Sequence, residues 1–265
     1  MSDRSLRDTM RALFAISPGP ALDRRSFFAL TGAAGLATLG LTGTAEAAAR
    51  YRFFNRRIPD EAHRRMGKMA SAGITSFSFT PSNGWVIVTQ NGGYFARNIP
   101  DECFSKLKQL IAAGNRIHCV AFPPGGGNSW VITGDKTFYA RNIPDECYRK
   151  ILAYYKSGQQ VVHVAFPPGG GNSWVVVAKN GFFARNIDEE CYQRMRTMSR
   201  GGRRITRVAF PYTGGWTVVA GNAFYARNID EECFQQMKKF GAAGYQIHNV
   251  AFSPVGNAWS LSSRG

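Results

Sequence analysis

The segment "FYARNIPDECY", which begins at Phe138, places Arg141, Asn142, Asp145, Glu146 and Cys147 within seven residues. A thiol beside two carboxylates and a guanidinium suits nucleophilic or acid–base chemistry. His118 and Cys119 form a second candidate as neighbours in sequence. The chain also holds two "PPGGGNS" loops, from Pro123 and Pro167. These lack the Lys-Ser/Thr of a phosphate-binding loop and read as turns.

The first candidate is not unique. Its copies are "YFARNIPDECF" from Tyr94, "FFARNIDEECY" from Phe182 and "FYARNIDEECF" from Phe224, with a divergent "FFNRRIPDEAH" from Phe53. Ile58, Ile99, Ile143, Ile187 and Ile229 mark a period of 41 to 44 residues. An active site needs one constellation, so a set present five times is the part each repeat needs to fold. Four cysteines, Cys103, Cys147, Cys191 and Cys233, share one column in which the first repeat has Ala62. Alanine in that column indicates a small apolar slot rather than a nucleophile. Cys119 stands outside it, but His118 beside it on a strand points to the opposite face. Another histidine, His63, His163 or His248, has to reach the thiol if a dyad exists. The chain has no CxxC pair and no Cys/His cluster at zinc spacing, so neither a metal nor a cofactor is expected.

A second recurring unit lies between the copies: "VAFPPGGGNSWVI" from Val120, "VAFPPGGGNSWVV" from Val164, "VAFPYTGGWTV" from Val208, "VAFSPVGNAWSL" from Val250 and the looser "FSFTPSNGWVI" from Phe77. It reads as strand, turn and buried strand, followed by a short turn and a third strand. A helix comes next. Ile99, Cys103, Leu107 and Leu110 share one helical face, Asn98 is the expected N-cap, and Pro100 sits in the first turn. Gly114, Gly158, Gly201 and Gly241 or Gly244 are the expected stops. The repeat is therefore β-β-β-α.

After residues 1–47 the chain begins at a third strand, near 51–57, and ends after a second, 248–262. Joined, the two ends complete a fifth unit. The expected fold is α/β, a closed five-module propeller of β-β-β-α repeats, with an open α/β solenoid as the alternative. The pattern resembles a tandem repeat scattered through bacterial proteins, with "GWV", "NGY", "NIP" and "VAF" elements. That resemblance implies architecture and no fixed function. Fivefold α/β propellers also include the pentein enzymes, whose chemistry on guanidino groups needs a Cys, a His and an acid. The sequence places no such set here.

Residues 1–47 read as a signal peptide. Arg24 and Arg25 precede an uncharged apolar run, and Ala45-Glu46-Ala47 fits a cleavage site. The paired arginines followed by Phe27 and Phe28 resemble the bacterial twin-arginine export signal. That resemblance implies an exported protein, periplasmic or extracellular, with residues 48–265 as one five-repeat domain. No transmembrane segment is expected in the mature chain, which is read as a monomer.

The whole chain carries a formal charge of +16. Such a charge favours anionic partners: an envelope polysaccharide, nucleic acid or an acidic protein. The largest departure from the repeat is "RMRTMSRGGRRITR", where Arg200, Arg203, Arg204 and Arg207 form the expected anion site. Arg56, Arg97, Arg141, Arg185 and Arg227 recur fivefold. They are either a ring around a pore or partners of helix-start acids such as Glu102 and Glu146. Trp85, Trp130, Trp174, Trp216 and Trp259 are either core or sugar-stacking platforms. The expected function is an exported, non-enzymatic binding protein for an anionic polymer. A multivalent lectin-like propeller is the alternative, and a hydrolase or pentein-like enzyme ranks third.

Overall fold

The computed structural model describes residues 51–265. The signal-peptide reading of residues 1–47 lies outside them. Five units repeat, each a three-stranded antiparallel sheet accompanied by a helix. β1 (Tyr51–Arg56) leads into α1 (Asp60–Met69). The next sheet is β2 (Ile74–Phe79), β3 (Trp85–Thr89) and β4 (Tyr94–Arg97), then α2 (Asp101–Ala112). β5 (Ile117–Ala121), β6 (Trp130–Gly134) and β7 (Phe138–Arg141) precede α3 (Asp145–Lys156). β8 (Val161–Ala165), β9 (Trp174–Ala178) and β10 (Gly181–Arg185) precede α4 (Glu189–Arg200). β11 (Arg207–Ala209), β12 (Trp216–Ala220) and β13 (Ala223–Arg227) precede α5 (Glu231–Ala242), and the chain ends with β14 (Gln246–Phe252) and β15 (Trp259–Arg264).

The fifth sheet is discontinuous in sequence. Its order is β1-β15-β14, with Tyr51 opposite Arg264 and Arg56 opposite Trp259. The first strands of the sheets also lie beside one another. β2 touches β5 and β14, β8 touches β5 and β11, and β11 touches β14.

The middle strands β3, β6, β9 and β12 are buried along their whole length. Runs such as Trp174-Val-Val-Val-Ala178 suit that position because both faces of the strand are covered. Each helix contributes one apolar face to a cluster that also draws on two successive sheets. Cys103, Leu107 and Leu110 of α2 pack with Val86 and Val88 of β3 and with Ile117, Trp130 and Ile132 of the next sheet. The four column cysteines are free and fully buried, as is Ala62, and burial lifts the Cys103 and Cys147 thiols to about 12. The small apolar slot is thus what the column provides.

Two helix-end expectations are corrected. Asn98 is not the N-cap; Pro100 occupies that position, with φ −55° and ψ 134°. Asn98, Asn142, Asn186 and Asn228 instead take left-handed φ values of 48° to 51°, and Arg57 holds the same place at 53°. Asparagine tolerates that region better than other residues with a Cβ. Where Asp188 and Asp230 replace the proline, each is a true cap, accepting from the N–H of Cys191 and Cys233. The left-handed stops are Gly202 and Gly244. Gly201 has an ordinary negative φ, and Gly241 is a buried residue of α5, where an added Cβ would meet Asn222 O at 2.8 Å.

Candidate functional site

The fivefold arginines close each sheet's outer strand, on the far side of the middle strand from where the first strands meet. Each pairs with the helix-start glutamate of the preceding repeat: Arg97 with Glu61, Arg141 with Glu102, Arg185 with Glu146 and Arg227 with Glu190. Arg56, in the first strand, pairs with Glu232 near the chain end at 3.2 Å. They do not ring a pore. They are exposed ion pairs that tie neighbouring repeats, each worth about 0–1 kcal/mol.

The tryptophans are no more than 2 % exposed. Trp85 stacks on Phe95 and Trp259 on Phe54, while the Trp130 and Trp174 indole N–H groups donate to Asn128 and Asn172. A sugar platform needs an open ring face, and these five offer none. They are core.

The arginine-rich segment divides. Arg200 ends α4 and is exposed, Arg204 is exposed and Arg203 is half-buried. None of the three has an ion pair among the described residues. Arg207 does not belong to this patch. It is 9 % exposed and points inward, donating to the carbonyls of Val162 (3.3 Å), Thr206 (2.6 Å) and Thr75 (2.6 Å).

Arg207 reveals what sequence reasoning missed. In register, the first strands carry Ser76, Cys119, His163, Arg207 and Asn249 directly before Phe77, Val120, Val164, Val208 and Val250, a different residue in each repeat. All five bridge to another first strand, Arg207 through the bonds to Val162 and Thr75 already described. Ser76 Oγ accepts from Val120 N–H (3.2 Å), and Cys119 Sγ lies 3.6 Å from Val164 O. His163 Nε2 donates to Val208 O (2.7 Å), and Asn249 Oδ1 accepts from Phe77 N–H (3.3 Å). The column stitches strands that share no backbone ladder. Just before it, four of the strands shift register between Ile74 and Ser76, Ile117 and Cys119, Val161 and His163, and Ile247 and Asn249. Such bulges re-aim side chains. The residues between, Thr75, His118, Val162 and His248, line one basin of about 410 Å³.

That basin also collects Arg116, Lys179, Arg204, Arg207 and Arg264, with Gln90, Gln160 and Gln246 among its polar neighbours. One carboxylate faces this set. Asp135 accepts from Arg116 (3.4 Å), Gln160 (3.3 Å) and His118 Nε2 (2.8 Å). Burial holds the His118 pKa below its usual value despite Asp135, and takes His248 down to about 4. The cationic field therefore comes from arginine and lysine at neutral pH. Lys179 and Arg204 also line a smaller adjoining depression with Arg203, so the basin and the outer patch form one continuous basic surface.

A Cys–His contact does exist. His163 Nδ1 lies 3.6 Å from Cys119 Sγ. With Nε2–H given to Val208 O, Nδ1 is the acceptor and the thiol keeps its proton. Burial raises the Cys119 pKa and, with Arg207 nearby, lowers that of His163 to about 3. Both groups are neutral at pH 7, the reverse of the thiolate–imidazolium pair a nucleophilic cysteine requires. Cys119 is 2 % exposed. No group of three or more His, Cys, Asp or Glu that could hold a metal occurs among the described residues.

No known protein-family model matches the chain, and no curated protein matches it.

Proposed function

We propose that this is an exported binding protein for an anionic polymer, built as a closed five-module propeller. Closure is supported by the pairing of β1 with β15, the contact of β14 with β2, and the Arg56–Glu232 pair that continues the series made by the other repeats. The observation that carries the binding function is the basic surface of Arg203, Arg204 and Lys179 that leads into the basin, with exposed Arg200 at the end of α4; none of the four has an ion pair among the described residues. A helix C-terminus favours one cation. Three arginines around the end of α4, without a carboxylate among them, fit a ligand with repeated negative groups. Among the described residues no helix is long and apolar enough to cross a membrane. The lectin alternative loses its platforms to burial, and the enzyme alternative rests on a thiol held protonated.

The test is retention on immobilised heparin and on single-stranded nucleic acid across a salt series. Changing Arg200 and Arg203 together to Ser alters only exposed or half-buried side chains and leaves the fold intact. The expected result is earlier elution, with the slope of log K against log salt shallower by roughly one per lost cation. A folded double variant that elutes with the parent would exclude this face as the polymer contact.

A further inference from the structure

We infer that the basin is a discrete site for a compact, multiply charged oxyanion of phosphate type, with one group seated on the Arg207 guanidinium. This goes beyond polymer binding: it shares Lys179 and Arg204 with the outer surface but rests on Arg207 and Arg264, which that surface does not include. Arg207 is nine-tenths buried and no carboxylate pairs with it among the described residues. Its three hydrogen bonds to carbonyls account for at most three of its five N–H groups. Burial works against its charge, Arg204 repels it, and the Cys119 thiol, protonated at neutral pH, supplies no anion. A buried cation left uncompensated is costly, and an anion that docks against its remaining donors removes the cost.

The surroundings specify the ligand further. Lys179, Arg204 and Arg264 line the same basin with no ion pair of their own among the described residues, so a single charge does not satisfy it. Thr75, Thr206 and the glutamines supply neutral hydrogen-bonding groups, and only Val162 and Ile247 are apolar. About 410 Å³ exceeds one orthophosphate and falls within the range of small-molecule sites. The residues that form the site are those in which the five repeats differ. An asymmetric ligand held once per molecule requires that, whereas a polymer read by equivalent repeats does not.

The experiment is calorimetric titration of the full chain with pyrophosphate, and in a second arm with short-chain polyphosphate, at low salt. One-to-one binding of pyrophosphate identifies a free small anion as the ligand. Binding of polyphosphate alone identifies the phosphate end of a polymer, and either result supports the site if it depends on the basin. The dependence is read from Arg207→Met, expected to weaken binding roughly 10- to 100-fold. Arg207 also bonds three carbonyls, so Lys179→Ser with Arg264→Ser at the rim gives an independent reading that spares the fold. That pair is expected to weaken binding at least tenfold, while the Arg200/Arg203 double variant binds as the parent does. Absence of binding in both arms overturns the site. Binding that survives the rim variants, or that falls equally in the Arg200/Arg203 variant, overturns it as well and moves the anion to the outer face.

Discussion

The proposed closure has a measurable consequence at Phe54. This residue lies in β1, stacks on Trp259 at 5.8 Å with planes 16° apart, and packs against the cluster built from β14, β15 and α5. Truncating a fully buried phenylalanine to alanine costs about 3–5 kcal/mol. Phe54 is only partly buried, which brings the expectation for Phe54→Ala to about 2 kcal/mol. For a domain of this size that corresponds to a fall in Tm of about 4–8 °C. In a closed ring the loss is felt by the whole cooperative unit, because no repeat is a dispensable end. If the ring is open, β1 frays alone and the main transition stays where it was. Scanning calorimetry separates the two, with Tyr148→Ala as the control because Tyr148 is 42 % exposed. A Phe54→Ala protein whose main transition matches the parent, with early amide exchange confined to β1, would refute the closure argument.

Acid should destabilise the fold through its inward histidines. His163 and His248 have folded pKa values of about 3 and about 4, below the 6.5 of the unfolded chain, so their stabilising contribution is whole above pH 6.5. It is lost as pH falls toward those lower values, by up to about 2 kcal/mol for each histidine at pH 5. Burial is the main cause for both, reinforced by Arg207 for both and by Arg264 for His248, while the bond to the Val208 carbonyl opposes the shift of His163. The urea midpoint should therefore drop from pH 7.5 to pH 5, and an unchanged midpoint contradicts the assignment. Arg57→Asn should stabilise, because Arg57 holds the left-handed φ of 53° that asparagine occupies in the other four repeats. The gain is about 0.5–1 kcal/mol, read as a Tm higher by about 1–4 °C, and a lower Tm would show that Arg57 makes a compensating contact.

The repeat unit was legible because it is written five times. Helix periodicity at Ile99, Cys103, Leu107 and Leu110 and the valine-rich middle strands each respond to burial, which a single sequence records well. The cysteine slot was legible from Ala62 alone. Helix ends were less so. A Pro or Asp directly before the helix can take the cap position, and that displaced Asn98 into a left-handed turn where its identity is equally at home. Exposure was the harder quantity. The tryptophans and Arg207 are amphipathic, and nothing local in sequence fixes which way a long side chain turns. The segment Arg194–Arg207 reads as one basic patch, but a strand begins at Arg207 and carries that residue inward.

The basin escaped for a related reason. Its members come from all five repeats, two to four from each, and no window along the chain contains them together. The signal was vertical: between a position that keeps isoleucine or valine (Ile74, Ile117, Val161, Ile205, Ile247) and one that keeps valine or phenylalanine, each repeat has two variable residues, of which Thr75, His118, Val162, Thr206 and His248 line the basin and Ser76, Cys119, His163, Arg207 and Asn249 form the column beneath. A purely structural column has no need to vary so widely, since any small hydrogen-bonding residue can stitch one strand to the next, as Ser76 and Asn249 do. Arg207 breaks that economy. It reaches two other first strands at once, brings a full charge into the interior, and leaves donors over. Three cations around the same space are placed so that their fields add rather than cancel. A fold that needed only a filled centre would be more stable with a neutral residue there. Arginine at that position is therefore best explained by a negative group that visits it.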